Sequence, residues 1–540
     1  MAKFKLFFKN VLLLTATSLL MRTVGVYFNL YLTRRLGADG MGLFTLTASV
    51  YGFALTLATS AVTLAATRLV SEAIGESTDS KATESGRILA AMRVSIGYSL
   101  FFGLLAGGLL LILAAPIGRY LLSDPRTIPS LWLLAISLPF VALTSALSGY
   151  FTAVRRVSKN ALTQILEQGL RIGATMLLLT LFTSGGLQTA CLWVVAGGVL
   201  GNFFSFLYCL YLYLLDLRKF HRGQQAQKEQ IEPMRKKLLG IALPVAFSSY
   251  LRQGLVTLEH LLIPWGLKKR GQTQTGALAT YGVMQGISLP VVMFPYAFLS
   301  PFCSLLVPEI AEKRAAGDHL GVERITKRVF SFVLSMGIGT AGILLFFSKA
   351  LGRVMGDSSE AAVYIGLLAP LLPVMYLDTA VDSILKGLDQ QLFCMRVNIL
   401  DSALSVLVVL VLMPQIGIYG YIAEIFLCEL INASLSVMRL LQVTGLSLSP
   451  LILLPPLCAI FGATLLARLL LLALPMGDVS GVTLFFEILL VAALYLALLC
   501  APRLLGRRRK RACAAALCIR DREKSLKLPK SYCFFSKNML

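Results

Sequence analysis

Charged side chains set inside long apolar runs are where this sequence could do chemistry. Arg22 lies within SLLMRTVGVYFNLYL and Arg252 within SSYLRQGLVTLEHLL. Placing an arginine at the centre of a membrane helix costs about 2.5–3.5 kcal/mol on insertion scales, so it tends to face a cavity or a partner. A guanidinium grips phosphate oxygens bidentately. Two of them on facing helices would make a cationic floor for a phosphate or pyrophosphate, and Arg22 and Arg252 are assigned to substrate binding on that ground. The plainer alternative is that an internal carboxylate neutralises each one and both serve packing. Glu259 follows Arg252 by about two turns on the same helix face. It either balances the arginine and lines the substrate site, or carries a coupling proton or cation. Asn29 and Gln285 are neutral polar groups able to line a cavity or bridge helices. Asp378 and Asp382 sit one turn apart in YLDTAVDSILKG. Like charges on one face are unfavourable unless one is protonated or a cation sits between them. Asp378, Asp382 and Glu259 are therefore the ion-coupling candidates, for Na+ or H+. Glu167 and Arg171 have the same spacing but opposite signs, the pattern of a structural ion pair. His260 reads as a hydrogen-bonded core histidine.

The usual enzymatic signatures do not occur. There is no Walker A sequence, so any energy must come from ion, potential or substrate gradients. The run Gly37 to Gly42 (GADGMG) has the glycines of a phosphate loop but follows a membrane helix rather than a strand, and it reads as a tight turn. The ten cysteines are scattered, with no C-x-x-C pair, and His221, His260 and His319 stand far apart in sequence. That distribution predicts neither a metal site nor a cofactor nor an enzyme.

The elements that must position these groups are membrane helices. The 540 residues are 57% hydrophobic and 14% charged, against about 45–50% and 25% in soluble domains. The apolar residues come in blocks of about 20, the length that crosses a bilayer core as a helix. The blocks predict about fourteen spans, near 10–33, 42–68, 88–115, 129–153, 161–183, 188–215, 238–266, 276–307, 327–348, 361–386, 395–413, 417–440, 449–474 and 482–501. Prolines punctuate the loops (Pro125, Pro129, Pro414, Pro475), and Pro290, Pro295, Pro301 and Pro308 predict an irregular eighth span. The net charge of +23 lies mostly in loops between spans rather than on one face of a soluble domain. It therefore sets orientation rather than nucleic-acid binding, and the positive-inside rule puts both termini in the cytoplasm. Lys3, Lys5 and Lys9 precede a first helix that reads as retained, not as a cleaved leader.

A faint internal repeat runs through the chain. Ser18 and Arg22 match Ser248 and Arg252, Gly42 and Gly52 match Gly276 and Gly286, and Gly149 and Asn160 match Gly387 and Asn398, with slowly growing offsets. A duplicated six-helix unit leaves this trace, and an even number of spans keeps both copies in one orientation about an axis along the membrane normal. The reading is all-α. It has an N-terminal lobe over 1–227, a C-terminal lobe over 228–447, two added helices over 448–505, and a basic tail over 506–540 against the inner membrane lipids.

SLLMRTVGVYFNLYLTRRLGADGMGLFTL with TRLVSEAIG resembles the start of the stage V sporulation protein B-like family. That family lies in the oligosaccharidyl-lipid branch of the multidrug/oligosaccharidyl-lipid/polysaccharide exporter superfamily. The likeness returns at LSGYFTAVRRVSKNALTQILEQGLRI, KKLLGIALPVAFSSYLRQGLVTLEHLLIP and FLSPFCSLLVPEIAEKRAAGD, so that it spans about residues 8–450. The resemblance implies alternating access between two lobes, and an undecaprenyl-linked oligosaccharide or peptidoglycan precursor as the substrate flipped across the plasma membrane of a spore-forming bacterium. It also implies cavity arginines at the positions of Arg22 and Arg252. Phe28 and Asn29 stand where the related flippases carry a further arginine, which leaves a different headgroup open. A cation-coupled multidrug exporter of the same superfamily is the competing expectation.

Overall fold

A computed structural model describes residues 2–501 apart from 76–80, 123, 155, 183–185, 218–227, 356–357, 447–449, 474–480 and 482. The basic run Arg507 to Arg511 and the tail lie outside the described residues. Among the described residues every regular element is helical. Ten helical segments are long and apolar enough to cross a membrane by length and composition. With the shorter and broken ones the chain makes roughly fourteen traversals. The described residues up to 448 form one compact unit and those after it a second.

The first two traversals are a single helix, α1 (Ala2–Thr59), folded at one residue. Gly37 has φ 75° and ψ 173°, a conformation that only glycine adopts without strain. The turn expected over Gly37 to Gly42 is therefore a one-residue corner, and Gly42 already lies in the second leg. That leg breaks again at Ala61, with φ 60°, before α2 (Val62–Gly75). Next come α3 (Lys81–Pro116), which runs on into a π-helical turn at Ile117–Leu121, α4 (Ile128–Ala153), α5 (Val157–Leu181) and α6 (Leu187–Leu217). Small residues bring these helices close. A Cβ on Gly107 would meet the Ala135 carbonyl oxygen of α4 at 2.9 Å, and one on Gly201 would meet the Glu167 carbonyl oxygen of α5 at 3.0 Å. Close backbone approach is how membrane helices gain dispersion energy where lipid offers no hydrophobic drive.

Helix α7 (Lys228–Lys269) carries Pro233, Pro244 and Pro264. Its first half packs on the preceding helices rather than on those that follow. Leu238 and Ala242 are buried in a core with Leu69 and Val70 of α2, Met92 of α3, Tyr150 and Phe151 of α4 and Tyr213 of α6. Its second half packs on a later helix, α14 (Gln391–Ile416). The eighth traversal is irregular, as its prolines predict. It comprises α8 (Gln274–Val283), a π-helical turn at Met284–Ser288, the short α9 (Leu289–Met293), and α10 (Tyr296–Ala315) after an interruption at Pro295. Helices α11 (His319–Val354), α12 (Ser359–Leu368) and α13 (Leu372–Gly387) precede α14, and α15 (Ile418–Thr444) follows it. Pro414 does not sit in a loop. It lies within α14, and the chain reverses on Gly417 with φ 66°. In the second unit α16 (Leu454–Ala473) is followed by α17 (Thr483–Ala501).

The two lobes meet along α1, α7 and α8. Gly42 lies so close to the Leu278 carbonyl oxygen, and Gly282 to that of Ala38, that neither position has room for a Cβ. Tyr250 donates to the Leu57 carbonyl at 3.2 Å, and Thr257 to that of Ser49 at 3.2 Å. At the Gly37 end Arg34 Nη2 reaches the Val354 carbonyl oxygen at 3.4 Å.

Candidate functional site

Halfway along α1 the chain lines a cavity of about 490 Å³. Arg22, Asn29 and Phe28 face it from α1, Gln168 and Arg171 from α5, and Gln285 with Met293 from the broken eighth traversal. The breaks explain part of the geometry. Ala297 N–H donates to the Phe294 carbonyl, a tighter turn than an α-helix makes, which leaves the Met293 carbonyl oxygen for Arg22 Nη2 at 3.0 Å. Arg171 Nη2 donates to Glu167 Oε1 at 2.8 Å, one turn back on its own helix. Both side chains of that pair are partly open, at 41% and 31% exposure, while Arg171 Nε is buried without a hydrogen-bond partner. Gln168 Nε2 lies 3.4 Å from the Met21 carbonyl. The spacing of Glu167 and Arg171 predicts an ion pair, and the pair is present. It also stands in the cavity wall.

Of the residues proposed from sequence, Arg22, Asn29 and Gln285 come together here. Arg252 does not line this cavity. It is exposed on α7 and acts electrostatically on Asp401 of α14. The cationic pair of the cavity is thus Arg22 with Arg171. Helices α1 and α5 supply both, so the arginines do not come from opposite lobes.

A second polar group lies in the C-terminal lobe. Glu259 of α7 and Glu424 of α15 both stand beside Ser405 of α14, with Asp401 nearby. Glu424 is 4% exposed, and its Oε2 has no hydrogen-bond partner, nor does the Ser405 hydroxyl. Asp378 and Asp382 part company. Asp382 pairs with Lys386 at 3.1 Å, while Asp378 lies 3.4 Å from Asn432 Nδ2, leaving its other oxygen unpartnered. Glu424, in IYGYIAEIFLCELINAS, was legible as a carboxylate within an apolar run, the signal that marks an intramembrane functional group.

Gln285 joins the two groups. It lines the cavity, donates to Tyr421 Oη at 3.0 Å and lies 3.4 Å from His260 Nδ1. Tyr281 Oη is 3.0 Å from the same nitrogen, so His260 has the hydrogen-bonded core position expected of it. Tyr421 in turn lies within the field of Glu259 and Glu424. Gln285 sits in the π-helical turn, where one extra residue per turn re-aims a side chain, and such turns are frequent at functional sites.

A bundle of this kind, with a cavity that carries two arginines halfway along its helices, is the architecture of a polytopic membrane transporter. The sequence profile described as "Polysaccharide biosynthesis protein" matches residues 7–296, more than half of the chain, and the chain belongs to that family. The MatE profile matches residues 271–412. Stage V sporulation protein B of Bacillus subtilis (strain 168) is 26% identical over 423 residues, covering 77% of this chain and 79% of that protein. Sporulation protein YkvU of the same organism is 23% identical over 365 residues, 67% and 78% of the two chains. The fold is similar to that of the lipid II flippase MurJ in an inward closed conformation, with TM-score 0.64, 13% identity and coverage of 91% and 98%. It is also similar to a multidrug resistance MATE family transporter in its inward-facing conformation, with TM-score 0.63, 12% identity and coverage of 79% and 96%.

Proposed function

We propose that this protein flips an undecaprenyl-linked oligosaccharide or peptidoglycan precursor across the plasma membrane by alternating access, in cell-wall or spore-cortex synthesis. The observation that carries the reading is the pair of guanidiniums, Arg22 and Arg171, in the wall of one cavity halfway along the membrane helices. Arginine in such a place is costly and is retained where it meets an anion. Its planar fork fits the oxygens of a diphosphate, the group that joins glycan to polyprenyl carrier. Asn29, Gln168 and Gln285 add neutral hydrogen-bonding groups around the same space. The polyprenyl tail stays among the membrane lipids while the headgroup crosses.

Placing the N-terminus in the cytoplasm assigns most of the loop lysine and arginine to the inner side, so both termini face the cytoplasm in this reading. Glu259 and Glu424, with unpartnered oxygen nearby, are the groups we assign to a coupling cation, H+ or Na+, and Asp378 to a second carboxylate of the same lobe. Asp382, already paired with Lys386, contributes less. The alternative is cation-coupled multidrug export, which the MatE profile over residues 271–412 favours. Two cavity arginines disfavour a cationic drug in the same space.

Complementation tests the choice. The chain is expressed in a bacterium depleted of its own lipid II flippase, and growth and precursor accumulation are followed. Rescue by the wild type that is lost in Arg22→Ala, with membrane insertion intact, is the expected result. Rescue that survives Arg22→Ala sinks the cavity-arginine reading. Drug resistance without rescue moves the assignment to the exporter.

A further inference from the structure

Arg171 and Glu167 face the cavity as a pair, and the pair is incomplete. One guanidinium nitrogen meets one carboxylate oxygen at 2.8 Å, and Arg171 Nε is buried with no acceptor. Among the described residues Arg22 is likewise held by one backbone carbonyl, that of Met293. Both arginines therefore keep donors that their present partners do not use. The backbone beneath the pair is closely packed. Gly201 of α6 packs so tightly that a Cβ there would lie 3.0 Å from the Glu167 carbonyl oxygen and 3.1 Å from Arg171 Cβ. Exchange of partners by the two side chains needs no backbone movement. Glu167 also has somewhere to go. Tyr51, whose hydroxyl is 2.9 Å from Ser137 Oγ, stands near both members of the pair and near Asn202 of α6.

We propose that Glu167 is a built-in place-holder for the substrate's phosphate: in the empty carrier it neutralises Arg171, and the incoming diphosphate displaces it. This rests on the cavity being the diphosphate site. A diphosphate offers more acceptor oxygens than one carboxylate, so it meets the nitrogen that Glu167 holds and the open guanidinium donors of Arg171 and Arg22 together. While the site is empty, Glu167 prevents a bare guanidinium from standing in a low-dielectric cavity as the carrier returns. At the release step the carboxylate competes for Arg171 again and helps expel the headgroup.

Competition and mere positioning predict opposite signs. If Glu167 only oriented Arg171, its loss would weaken binding. As a competitor, its loss tightens binding. The full chain is reconstituted in nanodiscs and titrated with geranylgeranyl diphosphate, and turnover is followed in liposomes. Glu167→Gln is expected to bind about 1.5-fold to fivefold tighter than wild type, the range of a partly exposed ion pair, and to turn over more slowly. Arg171→Ala binds more weakly, and Glu167→Gln combined with Arg171→Ala matches Arg171→Ala alone. Glu167→Ser, a second way to remove the carboxylate, moves binding in the same direction as Glu167→Gln. Unchanged or weaker binding in both Glu167 variants, with Arg22→Ala still impaired, overturns the place-holder and leaves the phosphate site standing. Wild-type protein that binds no diphosphate, with no effect of Arg22→Ala, overturns both.

Discussion

Gly42→Ala should push this transporter away from the state seen here. The Cα of Gly42 faces the Leu278 carbonyl, and the space a Cβ would take is already filled by that oxygen. The obstacle is backbone, so no rotamer change relieves it. The two helices must separate, and they join the two lobes at the Gly37 end. Overpacking costs about 1–3 kcal/mol. Here the chain can escape that cost by moving the two helices apart, so it appears as a population shift of roughly fivefold to 150-fold against the arrangement seen here. Gly282→Ala, against the Ala38 carbonyl, should act the same way, and Gly97→Ala, with nothing within 4 Å, should do nothing. Spin labels at Arg35 and Ser359, both exposed near that end, report the opening, with Cys458, Cys500 and the tail cysteines replaced. Distance distributions that superimpose for wild type, Gly42→Ala and Gly97→Ala would refute the reasoning. They would mean that the glycine contact does not hold the lobes together.

Three further outcomes follow from other contacts. Gln285→Leu strips Tyr421, which is 4% exposed, of its hydrogen-bond donor; a buried group so orphaned costs about 1–3 kcal/mol. Transport should fall by roughly fivefold to 150-fold while diphosphate binding changes far less, as parallel flux and titration measurements would show. Glu424→Gln should abolish the dependence of flux on an imposed cation gradient and leave binding to the empty cavity intact; comparing H+ with Na+ gradients in liposomes identifies the ion, and gradient dependence retained in the variant removes Glu424 from coupling. Asp318 caps α11 by accepting from Gly321 N–H at 2.8 Å. That hydrogen bond, with Lys313 beside it, holds its carboxyl below the ordinary aspartate range. A depressed value means the cap is fully present above the unfolded-state pKa and is lost as pH falls through the folded one. Protection of the Gly321 amide, taken relative to its intrinsic exchange rate at each pH, should therefore fall only below about pH 4 and be lost at all pH in Asp318→Ala, with no change in flux at neutral pH.

Much of the architecture could be read from residues in a row. An apolar run of membrane length has nowhere to go but across the bilayer, so Leu20 to Ile74, Gly86 to Leu121 and their successors announce themselves. Helix count, the irregular eighth span with its prolines and the place of Arg22 were legible for that reason, and Glu424 carried the same kind of local signal. The corners were less so. Gly37 and Gly417 each reverse the chain alone, whereas Gly42 and Pro414 carry the same turn signals inside helices. Which of several glycines takes a positive φ depends on which helices then pack.

The membership of the site needed the assembled bundle. Arg22 and Arg171 are far apart in the chain and meet at one cavity because α5 presents the face bearing Gln168 and Arg171 to α1. Repeat symmetry pointed to Arg252 instead. Periodicity says which residues share a face of one helix, but not which face turns toward the cavity. That rotation follows from close contacts such as Gly201 on Glu167 and from the π-helical turn that re-aims Gln285. Both are decided by backbone approach between distant segments, a quantity that no local pattern of residues records.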